Sequence, residues 1–443
     1  MSNDVIELGA IAENVLAVAA SAAKGAEIFA TAQRNRSANV RFAKNEMTTS
    51  GEFDEVTVGV SVALGQRHAA TSTNQTDAAS LKALVERAVS MARLSPVDPE
   101  SMPLLPPQQY AKTLAPFDMK LAAFGPEERA AIAMRAIAEG DAKKVQIAGF
   151  YHREILEQAA RSSTGLSAAQ RETVGSYTVT ARTADATGSG WGGREVHRAA
   201  DLDDVTLSRT AIDKALRSAS PKAVPPGKYT VILEPQAVAE MLQFLVGEMD
   251  LRSIDEGRSF FTGKVGKKVF ADLVSLRSDP TDPETPSAAY DEEGMPLGPQ
   301  AWIDAGVARD MYASRYWAQK QGVKPSGNQE VFKLSGGKAE SVDELIAGTK
   351  RGLLVTRFWY NRMLEPQSIM LTGLTRDGLF LVENGKITGP ATNFRYNESP
   401  VSVLRNVDAM TRKTVRVPGV NGKWHVPALR TNEFTMASPS AAV

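Results

Sequence analysis

The chain has no cysteine and only four histidines in 443 residues. Without a thiol, disulfide scaffolds, thiolate zinc sites, iron–sulfur clusters and cysteine nucleophiles are excluded. The histidines, His68, His152, His197 and His425, never fall a helical turn apart. The common hydrolytic zinc site wants two such residues with a glutamate between them as base, and that spacing does not occur. Net charge is lacking too, since 51 basic side chains balance 51 acidic ones. No basic surplus recommends a nucleic-acid partner. Long apolar runs are missing as well. The longest early one, residues 14–23, is mostly alanine, whereas a bilayer span takes about 20 apolar residues. The first ten residues carry Asp4 and Glu7 and no base, unlike a secretory leader. These absences predict a cytoplasmic protein with no membrane partner.

What is present is ample core material. Apolar residues make up 43%, near the globular norm, and the length suits at least two compact units. Residues 11–33 are alanine-rich, with Val15, Leu16, Ala19, Ala22, Ala26 and Phe29 near one helical face. Val56, Val58, Val60 and Val62 alternate with small residues, which predicts a half-buried strand. Leu81, Leu84, Val85, Ala88 and Ala92 return to helical spacing, and Pro96 predicts the stop. Residues 95–107 hold five prolines and read as a linker. A helix opening at Pro126 and strands at 146–158 and 175–182 follow. A second boundary falls at Pro221, Pro225 and Pro226. Beyond it, strands are expected at 229–233, 269–276, 353–360, 369–374 and 379–382, with a helix from Pro235 to about Met249. Asn384-Gly385 predicts a hairpin. The result is an α+β fold: two smaller N-terminal α/β-type units, 1–107 and 108–224, and a larger β-rich C-terminal domain, 225–443.

Chemical motifs are sparse. No Gly-x-Ser-x-Gly elbow exists, and Gly336-Gly337-Lys338 lacks the frame of a phosphate loop. Gly188-Ser189-Gly190-Trp191-Gly192-Gly193 reads as a flexible loop with an anchoring tryptophan, or as a loop bringing backbone close to a ligand. Asp291-Glu292-Glu293 reads as an acidic turn, a base or an oxygen cluster. Arg412, Lys413, Arg416, Lys423 and Arg430 read as a basic face.

Taken in order, other stretches resemble the TldD/PmbA family. Arg41-Phe42-Ala43-Lys44-Asn45-Glu46-Met47-Thr48-Thr49 is similar to its Arg-Phe-Ala-x-x-Glu-x-Thr-Thr stretch. Ser72-Thr73-Asn74, Glu234-Pro235, Ser259-Phe260-Phe261-Thr262-Gly263, Asp291-Glu292-Glu293-Gly294, Gly327-Asn328, Leu371-Thr372-Gly373, Glu383-Asn384-Gly385 and Asn393-Phe394-Arg395 follow in the family's sequence. Within that family, TldD-like chains carry His-Glu-x-x-x-His near the start of the last domain, and PmbA/TldE-like chains do not. Here the corresponding residues, 234–242, hold no histidine. The resemblance therefore implies a PmbA/TldE-like subunit of a cytosolic metallopeptidase assembly. It implies no metal or other cofactor in this chain, zinc in a TldD-like partner, a heterodimer or homodimer, and a peptide substrate. Thr48, Thr49, Gly188, Gly190 and Asn393 are the expected cleft residues. Two other readings stay open: an independent peptidase or amidase using Asp291, Glu292 and a distant histidine, and a non-catalytic peptide-binding or scaffolding protein.

Overall fold

Lys24 and Gly25 break the alanine-rich N-terminal stretch in two. The computed structural model, which describes residues 3–111 and 116–440, has α1 at Asn3–Ala22 and β1 at Glu27–Ala43. Gly25 takes φ +81° between them, a conformation glycine adopts without steric cost. The single helix expected over 11–33 is thereby corrected, and Phe29 lies in a strand. β2 (Glu46–Leu64) and β3 (Arg67–Thr73) follow, then α2 (Ala78–Leu94), α3 (Met119–Ala122) and α4 (Pro126–Ala142). β4 (Gln146–Ser162), β5 (Ser167–Arg182), β6 (Ser189–Val196) and α5 (Asp204–Arg217) complete the N-terminal half.

The six strands form one antiparallel sheet in the order β3-β2-β1-β4-β5-β6. The stretches 1–107 and 108–224 each supply three of them, and β1 and β4 pair from Phe29–Ser162 to Ala43–Ala148. Helices cover one face at two places. α1 and α2 pack on Ile28, Ala30, Ala32, Val58, Val60 and Val62. α4 and α5 pack on Val40, Phe42, Ile147, Tyr151, Tyr177 and Val179. Asp77 caps α2 by accepting from the Ala79 and Ser80 N–H groups, and the helix ends one residue before Ser95-Pro96. By length and composition α1 could cross a membrane, which the short apolar run did not suggest. In the fold Leu8, Ala12, Val15 and Ala19 form a buried stripe on the sheet, and Asp4 pairs with Arg34 and Arg36.

The C-terminal part is richer in strands. Its elements are β7 (Gly227–Leu233), α6 (Pro235–Gly247), α7 (Leu251–Asp255), β8 (Ser275–Ser278), β9 (Gln300–Asp304), β10 (Val307–Ala308), α8 (Arg315–Gln321), β11 (Val331–Ser335), α9 (Val342–Ala347), β12 (Arg351–Glu365), β13 (Met370–Glu383), β14 (Lys386–Pro390), β15 (Phe394–Glu398), α10 (Pro400–Arg405), β16 (Val407–Met410), β17 (Val415–Val417), β18 (Lys423–Val426) and β19 (Leu429–Pro439). One sheet runs β10-β9-β8-β11-β18-β17, the other β12-β7-β19-β15-β13-β14. Because β12 also pairs with β13, five strands close into a ring: β12, β7, β19, β15 and β13. Closure removes free edges from those five. The rings of Phe358, Tyr396 and Phe434 pack together on three of these strands.

The Asn384-Gly385 hairpin forms with φ 49° and 76°. The two strands expected at 369–374 and 379–382 are one, β13, which passes through left-handed Asp377 and Gly378. The strand expected at 269–276 starts only at Ser275. Val269, Phe270 and Val274 are buried in irregular backbone, so burial and not strand pairing explains that apolar run. The chain is an α+β protein with a β-rich C-terminal part.

Candidate functional site

Side chains alternate across a strand. With Ile28, Ala30 and Ala32 under helices, Phe29, Thr31 and Gln33 face the other way, toward the C-terminal unit. There they line two hollows, of about 340 and 350 Å³, that share Glu292. Phe29, Ser61, Ala63 and His68 meet Glu293 and Arg315 in the first. Thr31, Gln33, Gln158 and Gln170 meet Tyr290, Asp291 and Asn328 in the second. The sheet wall thus mixes amides and hydroxyls with apolar side chains, Leu156, Ala159 and Ala160 among them. Lys423 and Glu172, 2.6 Å apart, tie the two halves together beside it.

On the opposite wall, Asp291-Glu292-Glu293-Gly294 and Gly327-Asn328 converge. Asp291 Oδ1 accepts from the N–H groups of Glu293 at 3.0 Å and Met295 at 2.9 Å, and Oδ2 from that of Asn328 at 3.0 Å. The Asn328 amide donates to Glu292 at 3.1 Å, and the Tyr110 hydroxyl donates to the Gly294 carbonyl at 2.9 Å. Burial pushes the Asp291 carboxyl up, against the pull of those donors. Both oxygens are engaged by backbone, so Asp291 shapes the turn and is poorly placed to take a substrate proton.

The expected cleft residues fall elsewhere. Thr48 and Thr49 are exposed on β2, and the Thr48 hydroxyl donates to the Arg41 carbonyl at 3.2 Å. Gly188 and Gly190 are buried. A Cβ at Gly188 would sit 2.2 Å from the Ala215 carbonyl oxygen, and one at Gly190 2.1 Å from that of Ala211. The glycine run lies largely in β6, with α5 pressed against it, so the flexible-loop expectation is corrected by close helix–strand packing. Asn393 lines a hollow of about 310 Å³ with Ser189, Gly378 and Ser440, and its Oδ1 accepts from Thr375 at 2.8 Å. The structure brings Asn393 beside Ser189 of the glycine run, and Thr48 and Thr49 line neither this hollow nor the cleft.

One group escaped the sequence reading. Glu240 is buried in α6; Gln236 donates to its Oε1 at 3.0 Å and the Phe358 N–H to its Oε2 at 2.6 Å. Arg357 lies 3.5 Å away. Burial pushes the Glu240 carboxyl up to about 7, with Arg357 pulling it back. Nearby, buried Asp377 accepts from the Ser189 hydroxyl at 2.6 Å, and Arg357 lies 5.1 Å over the Trp191 ring. The signal was available: Glu240 is the sole charge in α6.

His197 and His425 meet in a hollow of about 470 Å³ with Arg194, Glu195, Lys413 and Arg416. Burial first, then Arg416 and Lys333, hold His425 down at about 3, and burial followed by Arg416 lowers His197. Neutral imidazoles can ligate zinc, but these face cations that oppose a second positive charge. Among the described residues no three His, Asp or Glu side chains converge to hold a metal. Four of the five basic residues are tied up internally: Arg412 with Glu340 at 2.7 Å, Arg416 with Glu195 at 2.6 Å, Lys423 with Glu172, and Arg430 with Asp408 at 2.8 Å.

The overall fold is shared with solved proteins. TldE from Thermococcus kodakarensis superposes with TM-score 0.87 at 18% identity, covering 96% of this chain and all of that one. A putative modulator of a DNA gyrase from Thermotoga maritima gives 0.86 at 18% identity, covering 97% and 99%. At that identity the likeness is one of fold. Family models add sequence evidence: the PmbA/TldA metallopeptidase domain 1 matches residues 26–92 and the PmbA/TldA metallopeptidase C-terminal domain residues 226–438. The chain belongs to the TldD/PmbA family. A metalloprotease from Methanothermobacter thermautotrophicus is 26% identical over 235 residues, half of each chain. A TldD homologue from Haemophilus influenzae is 25% identical over 264 residues, 53% of this chain and 54% of its own. The chain thus spans about half the length of the curated relatives it matches.

Proposed function

We propose that this chain is the PmbA/TldE-like subunit of a TldD/TldE-type metallopeptidase assembly, working in the cytoplasm. In this reading it helps to enclose and hold an extended peptide, and a TldD-like partner supplies the zinc. The observation that carries the reading is a cleft into which the N-terminal sheet presents Thr31, Gln33, Gln158 and Gln170, with no metal-holding cluster of His, Asp or Glu among the described residues. Amide and hydroxyl groups both donate and accept, so such a wall can satisfy peptide main chain of any sequence. Zinc, when bound in the partner, lowers the pKa of its water and polarises the scissile carbonyl. This chain's own groups hold and screen the peptide. The reading with Asp291 as an independent base gains no support, because its oxygens are already engaged by backbone.

The test uses a labelled unstructured peptide, with this chain alone and then with a TldD-like partner. Turnover is expected only in the mixture and is abolished by a chelator. Cleavage by the lone chain after exhaustive chelation would refute the proposal.

A further inference from the structure

The N-terminal sheet has an unfinished edge. β2 pairs with β1 from Glu46 to Ala63, but β3 reaches back along it only to Val58, opposite Thr73. After Thr73 the chain turns away into α2. Residues 46–57 therefore offer a full row of unpaired main-chain N–H and C=O groups on their outer side, with no strand or backbone hydrogen bond on that side among the described residues. Natural sheets usually block such rows, because an exposed edge is a template for another strand.

Two further features mark this edge. Met47, Phe53 and, two strands away on β4, Phe150 are 48%, 50% and 40% exposed. The same stretch carries Glu46, Glu52, Asp54 and Glu55 and no base. Arg129 takes Glu52, and Arg34 takes Asp54 at 2.6 Å. Glu46 and Glu55 form no ion pair among the described residues. Two copies joined here would set acid against acid, which cross-strand pairing disfavours. The charge selects a basic strand instead.

We propose that residues 46–57 of β2 dock an extended segment of another polypeptide, with basic residues alternating with apolar ones, as an added strand. Main-chain pairing supplies the affinity; Glu46 and Glu55, opposite Ala43 and Asn35 on one face, select the charge, and Met47, opposite Phe42 on the other face, meets the apolar positions. None of these residues lines the cleft, so the proposal stands or falls apart from the peptidase reading.

The experiment uses the full chain and a labelled twelve-residue peptide alternating lysine and valine, with a glutamate–valine peptide as control. Fluorescence anisotropy is expected to show binding of the basic peptide that weakens with salt. Amide hydrogen exchange is expected to slow within residues 46–57. A Glu46→Lys, Glu55→Lys double variant, checked for an unchanged urea midpoint, is expected to bind roughly fivefold more weakly, since exposed ion pairs contribute little each. Equal binding of the two peptides, failure of the basic one to bind, or protection confined to other segments would overturn the proposal. The exchange measurement on the unmodified chain holds even if the double variant folds poorly.

Discussion

Replacing Glu240 by glutamine changes one atom in a buried site and should abolish the pH response of stability there. In the unfolded chain the carboxyl titrates near 4.5, and in the fold near 7, because burial outweighs the help of Arg357, Gln236 and the Phe358 N–H. The native state therefore binds this proton more tightly. The associated stability is complete below pH 4.5 and is lost as pH rises through 7. Between pH 5 and pH 8 the loss works out at about 2 to 3 kcal/mol for a single group shifted this far. Glutamine keeps an oxygen for the Phe358 N–H and does not titrate. Urea unfolding of both proteins at pH 5, 6, 7 and 8 reads the difference. The variant should gain about 2 to 3 kcal/mol relative to the parent from the acid to the alkaline end. Subtracting the two curves removes every other titrating group. A difference that stays flat, or shrinks as pH rises, would show that Arg357 keeps Glu240 charged and that the burial argument is wrong.

His425 should act with the opposite sign. Its folded value near 3 against 6.5 in the unfolded chain means stability present above pH 6.5 and lost on acidification. About 2 kcal/mol should disappear between pH 8 and pH 5, and a His425→Asn variant should lack that slope in the same urea series. Gly190→Ala should destabilise by about 3 kcal/mol or more, because its Cβ would press on Ala211 and Ala215 backbone. Gly247→Ala, with no atom within 4 Å of its Cβ, should instead gain about 0.5 to 1 kcal/mol from helix propensity. Thermal melts of the two variants side by side test whether backbone approach or generic glycine chemistry governs each site.

Sequence reading succeeded where one local force dominates. The valine alternation of β2, the Pro96 limit of α2 and the Asn384-Gly385 hairpin each rest on a few adjacent residues. It failed where two states share a composition. Alanine serves helix and small-residue strand alike, so the passage from α1 to β1 hung on Lys24-Gly25 alone. Val269 and Phe270 are apolar because they are buried, which looks the same as strand alternation when partners are unknown. The site was less legible still. Thr31, Gln33, Gln158 and Gln170 carry no motif; they become a wall only when β1, β4 and β5 align. At Gly188 and Gly190 the demand for glycine comes from α5, whose backbone lies against them and is distant in sequence.

The ring of strands in the C-terminal part also sets an order of events during synthesis. β7 lies between β12 and β19, so a strand made at residues 227–233 waits for residues 429–439 before its second side is filled. The N-terminal sheet needs nothing beyond residue 196 for its pairings. A nascent chain halted midway should thus carry a finished first half and an open, sticky second half, which is the stretch where a ribosome-associated chaperone has most to do.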